Sequence, residues 1–273
     1  MFDLFLASGE CDVAGEVICA PANVLELFEA NHVFFSIGPL EFTRTVILIY
    51  FAMFLVLLFL YFGLRGQKVV PTKFGVMSGS IVDFVRNDIA KGVIGAADGA
   101  KYTPYLLTLF LFILVGNLFE ITPLINFPIT SRMAIPGFLS ATTWVLFVFL
   151  GFKKNGLRYF TDIVWPKAVP VALRPLVGLI ELVSTFLLRP VTLAVRLFAN
   201  LVAGHLMLTL LLLSGYTFLA SAGDIGFRAL IGVPWYVLGL GIWLFELLVA
   251  VLQAYIFTLL SAVYIESSLH PAH

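Results

Sequence analysis

Charge is what this chain has least of. Only 12% of its 273 residues are Asp, Glu, Lys or Arg, against ~25% in an ordinary soluble domain. The 16 basic and 16 acidic residues cancel, so the chain carries no electrostatic footprint for nucleic acid. Lys and Arg are missing altogether from the first 43 residues. The start therefore has no basic n-region, and no cleavable signal peptide is expected. Cysteine is limited to Cys11 and Cys19, a spacing without a zinc or haem signature. Both lie in the N-terminal tail, where a local bridge is chemically permitted and two unlinked thiols are the alternative. No glycine loop that could cradle a phosphate is present, so no nucleotide site is expected; no metal or cofactor is expected either. Internal repeats, low-complexity tracts and a soluble domain are lacking as well.

What is present is apolar. Hydrophobic residues make up 61% of the chain, 27 of them Phe, and the mean hydropathy is +1.05. Five runs stand out: Thr45–Leu64, Pro104–Asn126, Pro136–Phe152, Pro175–Leu213 and Pro234–Ile265. A helix rises 1.5 Å per residue, so about 20 residues cross a hydrocarbon layer of ~30 Å. The first three runs fit one crossing each. The last two would reach ~58 and ~48 Å as straight helices. They must tilt steeply or break, and Pro190 offers a bend by removing a backbone donor. Between the first two runs, Lys73–Lys101 mixes apolar residues with Asp83, Arg86, Asp88 and Lys91, the pattern of an amphipathic segment on a membrane surface.

The expected fold is an all-α integral membrane protein with five transmembrane helices. Residues 1–44 form an outside tail, 45–64 the first span, 65–103 the inner amphipathic segment and 104–273 a four-helix membrane domain. The last two helices pair as a long, tilted hairpin joined by a Ser214–Val233 loop. Basic residues set the orientation. The tail, with seven acidic residues and no basic one, stays outside. Arg65 to Lys101 mark the inside, as do Lys153, Lys154, Arg158, Lys167 and Arg174. The C-terminus then lies inside.

A few polar residues interrupt the runs. Arg196 is the foremost, because a guanidinium keeps its charge at any reachable pH. Burying it in a bilayer costs roughly 2.5–3.5 kcal/mol on insertion scales. It needs a carboxylate partner or a water-filled cavity; snorkelling to the headgroups is the plainer alternative. At 100° per residue, Asn200 lies about 40° from Arg196 and Ala203 about 20° to the other side. Arg196 thus shares its face with small or polar residues, which let another backbone come close. His205 falls on the opposite face. Along the last run, Glu246, Gln253 and Tyr264 form one polar stripe. Asn117 and Glu120 close the second run on its outer side.

Three stretches carry a family likeness. Arg196-Leu-Phe-Ala-Asn200 with Ala203-Gly204-His205, Leu252-Gln-Ala-Tyr-Ile-Phe-Thr-Leu-Leu260, and Gly116-Asn-Leu-Phe-Glu-Ile-Thr-Pro123 together resemble subunit a of the F-type ATP synthase. The resemblance covers most of the chain from Thr45 on. It implies a stator subunit lying against an oligomeric ring of hairpin rotor subunits (subunit c), with peripheral-stalk subunit b and the remaining synthase subunits as further partners. The expected location is the bacterial plasma membrane, with the mitochondrial inner membrane as the alternative. Under this resemblance Arg196 deprotonates the rotor carboxylate, with Asn200 and Gln253 near it. Asn117, Glu120, His205 and Glu246 line an outer proton half-channel and Glu181 an inner one. The family's exchanged acid and base partners point to His205 and Glu246 as a relay pair.

Each site has a blander reading. Glu181 could pair with Arg174 or Lys167 at the interface, His205 and Gln253 could bond neighbouring helices, and Asn117 and Glu120 could meet headgroup water. Two other functions compete. A stand-alone transporter binding an anion at Arg196 would show inverted repeats, and no second copy of the arginine segment exists. A haem-bearing subunit needs paired intramembrane histidines, and of the four His only His205 lies clearly within a run.

Overall fold

The computed structural model describes residues 33–37, 40–64, 73–122, 132–165 and 170–270, together with Ile18. Cys11 and Cys19, Lys167 and most of the outside tail lie outside the described residues. The described chain is helical and holds five helices long and apolar enough to cross a membrane. One feature was not expected from the sequence. Strands β1 (Val33–Ile37) and β2 (Leu40–Thr43) pair antiparallel, with Val33 opposite Thr43 and Ile37 opposite Leu40. Their Val, Phe, Ile and Thr content suits extended backbone.

The helices follow in order: α1 Arg44–Leu64, α2 Lys73–Asp83 continuing as a π-helix over Phe84–Ile94, α3 Ala96–Ile121 and α4 Ala134–Asn155. Then come α5 Arg158–Val164, α6 Arg174–Val183, a π-turn Ser184–Leu188, and α7 Arg189–Ala220. After α8 (Ala222–Ile225) and a 3-10 turn, Gly226–Ile231, the chain ends in α9, Gly232–Leu269.

Several expected boundaries move. The second span begins at Ala96, not Pro104, because a membrane helix tolerates an internal proline where side chains and neighbours satisfy the freed backbone. It ends at Ile121, since Pro123 disfavours helix in the residue before it. The π-helix before it stops at Ile94, and the next residue, Gly95, takes φ +100°, a turn that glycine adopts without strain. The long hairpin's loop is shorter than Ser214–Val233. Helix continues to Ala220, helped by Thr217 donating its hydroxyl to the Leu213 carbonyl at 2.8 Å. The helical run 174–220 has 47 residues and the run 226–269 has 44, or ~70 and ~66 Å at 1.5 Å each. The break near Pro190 takes the form of the π-turn just before it. Proline cannot donate to the carbonyl four residues back, and its ring crowds that carbonyl; the wider turn relieves both, with Arg189 N–H reaching back to Ser184 O.

The chain divides into two compact units. The first comprises Met1–Ile49, Gly116–Ser131 and Ala199–Val251. Lipid is as apolar as leucine, so helices in a membrane associate through close packing of small residues. Here the C-terminal part of α7 and the first part of α9 run antiparallel on glycines. A Cβ on Gly215 would stand 2.8 Å from Tyr236 N, and one on Gly232 would stand 2.8 Å from Gly215 O. Phe218 is fully buried beside them.

The second unit comprises Tyr50–Val115, Arg132–Phe198 and Leu252–His273. Its π-helix 84–94 buries Val85, Ile89, Ala90 and Ile94. Phe84 meets the rings of Phe110 and Tyr255 at 6.2 and 5.7 Å. Gly99 sits where a Cβ would be 2.4 Å from Ala90 O, so the segment folds back closely on the start of α3. At one end of this unit Lys154 lies 3.7 Å from Asp98 and 3.0 Å from His270 Nε2, while Asn155 donates to Ser268 O. These bonds tie α3, α4 and the C-terminal end of α9.

Candidate functional site

In the first unit, four polar side chains converge from three helices. Asn117 and Glu120 come from the C-terminal end of α3, His205 from α7 and Glu246 from α9, and all are buried. Their spacing follows from helix geometry. Asn117 and Glu120 are three residues apart and share a face. Gly204 brings α9 against α7: a Cβ there would fall 2.5 Å from both Cδ and Oε2 of Glu246. The carboxylate of Glu246 thus occupies the place of a missing side chain, next to His205 in sequence.

The partners differ from the expected pairing in one respect. His205 Nδ1 stands 3.8 Å from Glu120 Oε1, so Glu120 joins His205 and is more than a helix-end residue. Glu120 and Glu246 are also near enough for their charges to act on each other. Asn117 Nδ2 donates to the Ala250 carbonyl at 3.3 Å, and Trp243 Nε1 donates to the Ile121 carbonyl at 3.0 Å. These two bonds fix the end of α3 on α9. Asn117 Oδ1 and Glu120 Oε1 keep unfilled acceptor capacity among the described residues. Buried acceptors are normally satisfied, so this cluster is unusual for a packed interior. Two carboxyl groups, an imidazole that can take a proton on one nitrogen and give one from the other, and an amide form a set able to pass protons.

The second unit holds Arg196, Gln253 and Glu181. Arg196 is exposed on α7, whose buried side carries Leu193, Ala194, Leu197 and Leu201. Along that helix Thr192, Val195, Ala199, Asn200, Ala203 and Met207 are exposed too, while His205 is 3% exposed. The stripe follows the three-and-four spacing expected of one helix face. Among the described residues the Arg196 guanidinium has neither a hydrogen bond nor an ion pair. Gln253 is buried inside the unit, and Glu181 is half-buried on α6. Gly178 on α6 packs so tightly on the Val164 backbone that no side chain would fit there.

One group escaped the sequence reading. Arg189 places its guanidinium 5.3 Å from the centre of the Tyr264 ring and donates to Ser267 Oγ at 3.1 Å. Arg189 is a charge inside the apolar run Pro175–Leu213, and Tyr264 belongs to the polar stripe of the last run. Their pairing needs the register of the antiparallel helices, which the sequence alone does not supply.

Comparison with known proteins adds a separate line. A family model described as ATP synthase A chain matches residues 45–266. The ATP synthase subunit a of Frankia alni is 41% identical over 255 residues, which cover 91% of this chain and 86% of that protein. That of Rhodococcus erythropolis is 36% identical over 260 residues, covering 94% and 93%. That of Pseudarthrobacter chlorophenolicus is 39% identical over 231 residues, covering 84% and 85%.

Proposed function

This chain belongs to the ATP synthase subunit a family, the membrane-embedded stator subunit of the F-type synthase, and from that premise we propose that Arg196 meets the carboxylates of a rotating ring of subunit c. The observation that carries this reading is the exposed stripe around Arg196, lined by the small Ala199 and Ala203 and the polar Asn200. A fixed cation left outward on an apolar helix calls for a partner of opposite charge from another chain. The small neighbours allow a rotor helix to approach.

The mechanism then follows from charge. A protonated rotor carboxyl is neutral and passes through lipid cheaply; an ionised one does not. A nearby opposite charge lowers a carboxyl pKa by about 1–3, or about 1.4–4 kcal/mol. Beside Arg196 the carboxylate therefore gives up its proton. Asn200 shares the exposed face and would contact the same group, whereas the buried Gln253 of α9 would act on it only through its neighbours. The outer half-channel is formed by Asn117, Glu120, His205 and Glu246, all of the first unit. The inner half-channel passes Glu181, of the second. The fixed charge of Arg196 repels a proton that would cross without a rotor carboxyl. Flow down the gradient turns the ring and drives synthesis in the attached head; hydrolysis turns it back.

The remaining placement follows the same premise. The excess length of the helical runs 174–220 and 226–269 supports a tilted hairpin that wraps along the ring. The segment 73–94, with Arg86 and Asp88 exposed, would lie at the inner membrane surface. The basic residues Arg86, Lys91, Lys101, Lys153, Lys154 and Arg158 support a cytoplasmic orientation of that side, with the N-terminus outside. Subunit b and the other synthase subunits complete the complex.

ATP-driven acidification of inverted membrane vesicles tests the reading. Arg196→Ala should assemble and abolish acidification. Arg196→Lys should be nearly as poor, because a desolvated lysine can lose its proton and lacks the planar fork. Normal acidification by the alanine variant would refute the role.

A further inference from the structure

The long helix that carries Arg196 is interrupted two turns before it, and Phe186, Arg189 and Pro190 at the interruption are held by α4 and α9. The π-turn Ser184–Leu188 ends at Arg189, whose side chain reaches α9 through the Tyr264 ring and Ser267. Pro190, the next residue, offers its carbonyl to Ser140 Oγ of α4. Phe186 within the turn meets the Trp144 ring of α4 at 6.1 Å. Tyr264 in turn lies 5.8 Å from Phe147, a fully buried ring of α4. A π-turn is a locally weak piece of helix, because one residue is inserted into the hydrogen-bond ladder. Left alone it would let α7 rotate or slide.

We infer that Arg189 is a positioning residue for the arginine face: its grip on Tyr264 and Ser267 locks the π-turn and so fixes the height and rotation of Arg196. The inference rests on the proposed meeting of Arg196 with the ring. Arg189 and Arg196 are seven residues apart, so they are about 20° out of line and ~10.5 Å apart along the axis. A rotation at the joint is transmitted directly to the exposed stripe, because the intervening helix is regular. The load is also real. A rotor carboxylate attracted to Arg196 pulls sideways on the helix each time the ring steps. The joint that resists this pull uses a half-buried guanidinium over an aromatic face, a favourable electrostatic contact. Lysine at 189 would keep the cation over the ring, and Phe at 264 would keep the ring under the cation.

The test uses the complete synthase in inverted vesicles. The variants are Arg189→Met, Arg189→Lys, Tyr264→Leu and Tyr264→Phe, with Arg196→Ala as control. Two quantities are read: protons pumped per ATP hydrolysed, and disulfide cross-linking of single cysteines at 199, 202, 203, 206 and 207 to the outer helix of the ring. Arg189→Met and Tyr264→Leu should lower the pumping ratio about threefold, the scale set by a cation–π contact at a half-exposed site, and should spread cross-linking from 199, 203 and 207 onto 202 and 206. Arg189→Lys and Tyr264→Phe should retain most pumping and the narrow cross-linking pattern. If Arg189→Met fails to assemble, Tyr264→Leu decides by itself. An unshifted cross-linking pattern with normal pumping in Tyr264→Leu would overturn the inference. Because Arg196→Ala is measured alongside, pumping by that control would instead mean that the reading of Arg196 has failed.

Discussion

Replacing Gly204 by alanine perturbs the first unit at a single defined point. The new Cβ would fall 2.5 Å from Cδ and Oε2 of Glu246 and 2.6 Å from Oε1. Ordinary carbon contacts begin near ~3.5 Å, so the carboxylate must withdraw by about 1 Å. It can do so, because it is the far end of a flexible side chain. Gly204→Ala should therefore fold and assemble, with Glu246 displaced from its seat beside α7. A misplacement of about 1 Å at a transfer site can cost up to about a hundredfold, so losing the seat should slow proton uptake on the outer side by about tenfold or more. Gly215→Ala makes the contrast. Its Cβ would meet the Tyr236 backbone nitrogen at 2.8 Å, and backbone cannot withdraw cheaply. Overpacking of this kind costs about 1–3 kcal/mol, and the helix pair should separate. The assay is paired: subunit abundance in the assembled complex, and the rate of ATP-driven acidification. The expected result is normal abundance with slow pumping for Gly204→Ala, and low abundance for Gly215→Ala. Wild-type pumping by Gly204→Ala would refute the claim that the seat of Glu246 matters for proton transfer.

The other predictions concern the same cluster and its support. His205→Ala, Glu246→Ala and Glu120→Gln should each slow acidification without opening a passive proton leak, measured as collapse of an imposed pH gradient. The exchange of His205→Glu with Glu246→His should recover part of the lost rate; an exchange slower than both single variants would separate the two residues. Asn117→Ala removes the bond to the Ala250 carbonyl, worth about 0.5–1.5 kcal/mol, and should lower the thermal stability of the purified complex while leaving ATP hydrolysis by the head unchanged.

The exposed stripe was legible because it depends only on helical arithmetic. Once the run around Arg196 is helical, Ala199, Asn200 and Ala203 must share its face and His205 must oppose it. The five spans were legible for a similar reason, since length and apolarity decide them. Two kinds of feature were not. Boundaries shifted where neighbours override local preference, as at Pro104 inside α3 and at Ser214–Ala220, which stays helical. Pairings between distant helices were hidden as well. The approach of Glu120 to His205 spans 85 positions of sequence, and that of Arg189 to Tyr264 spans 75. Both depend on the register between helices, which appears only in three dimensions. The β1–β2 ribbon was missed because the tail was read for charge alone.

The most direct test of the central claim is which side of α7 meets the ring. Single cysteines at 199, 203, 205 and 207, each paired with a cysteine on the outer helix of subunit c, can be oxidised in native membranes and the disulfide-linked product quantified. The account predicts strong products at 199, 203 and 207, which are exposed, and none at 205, which is buried and turned away. Equal yields at 203 and 205 would contradict it.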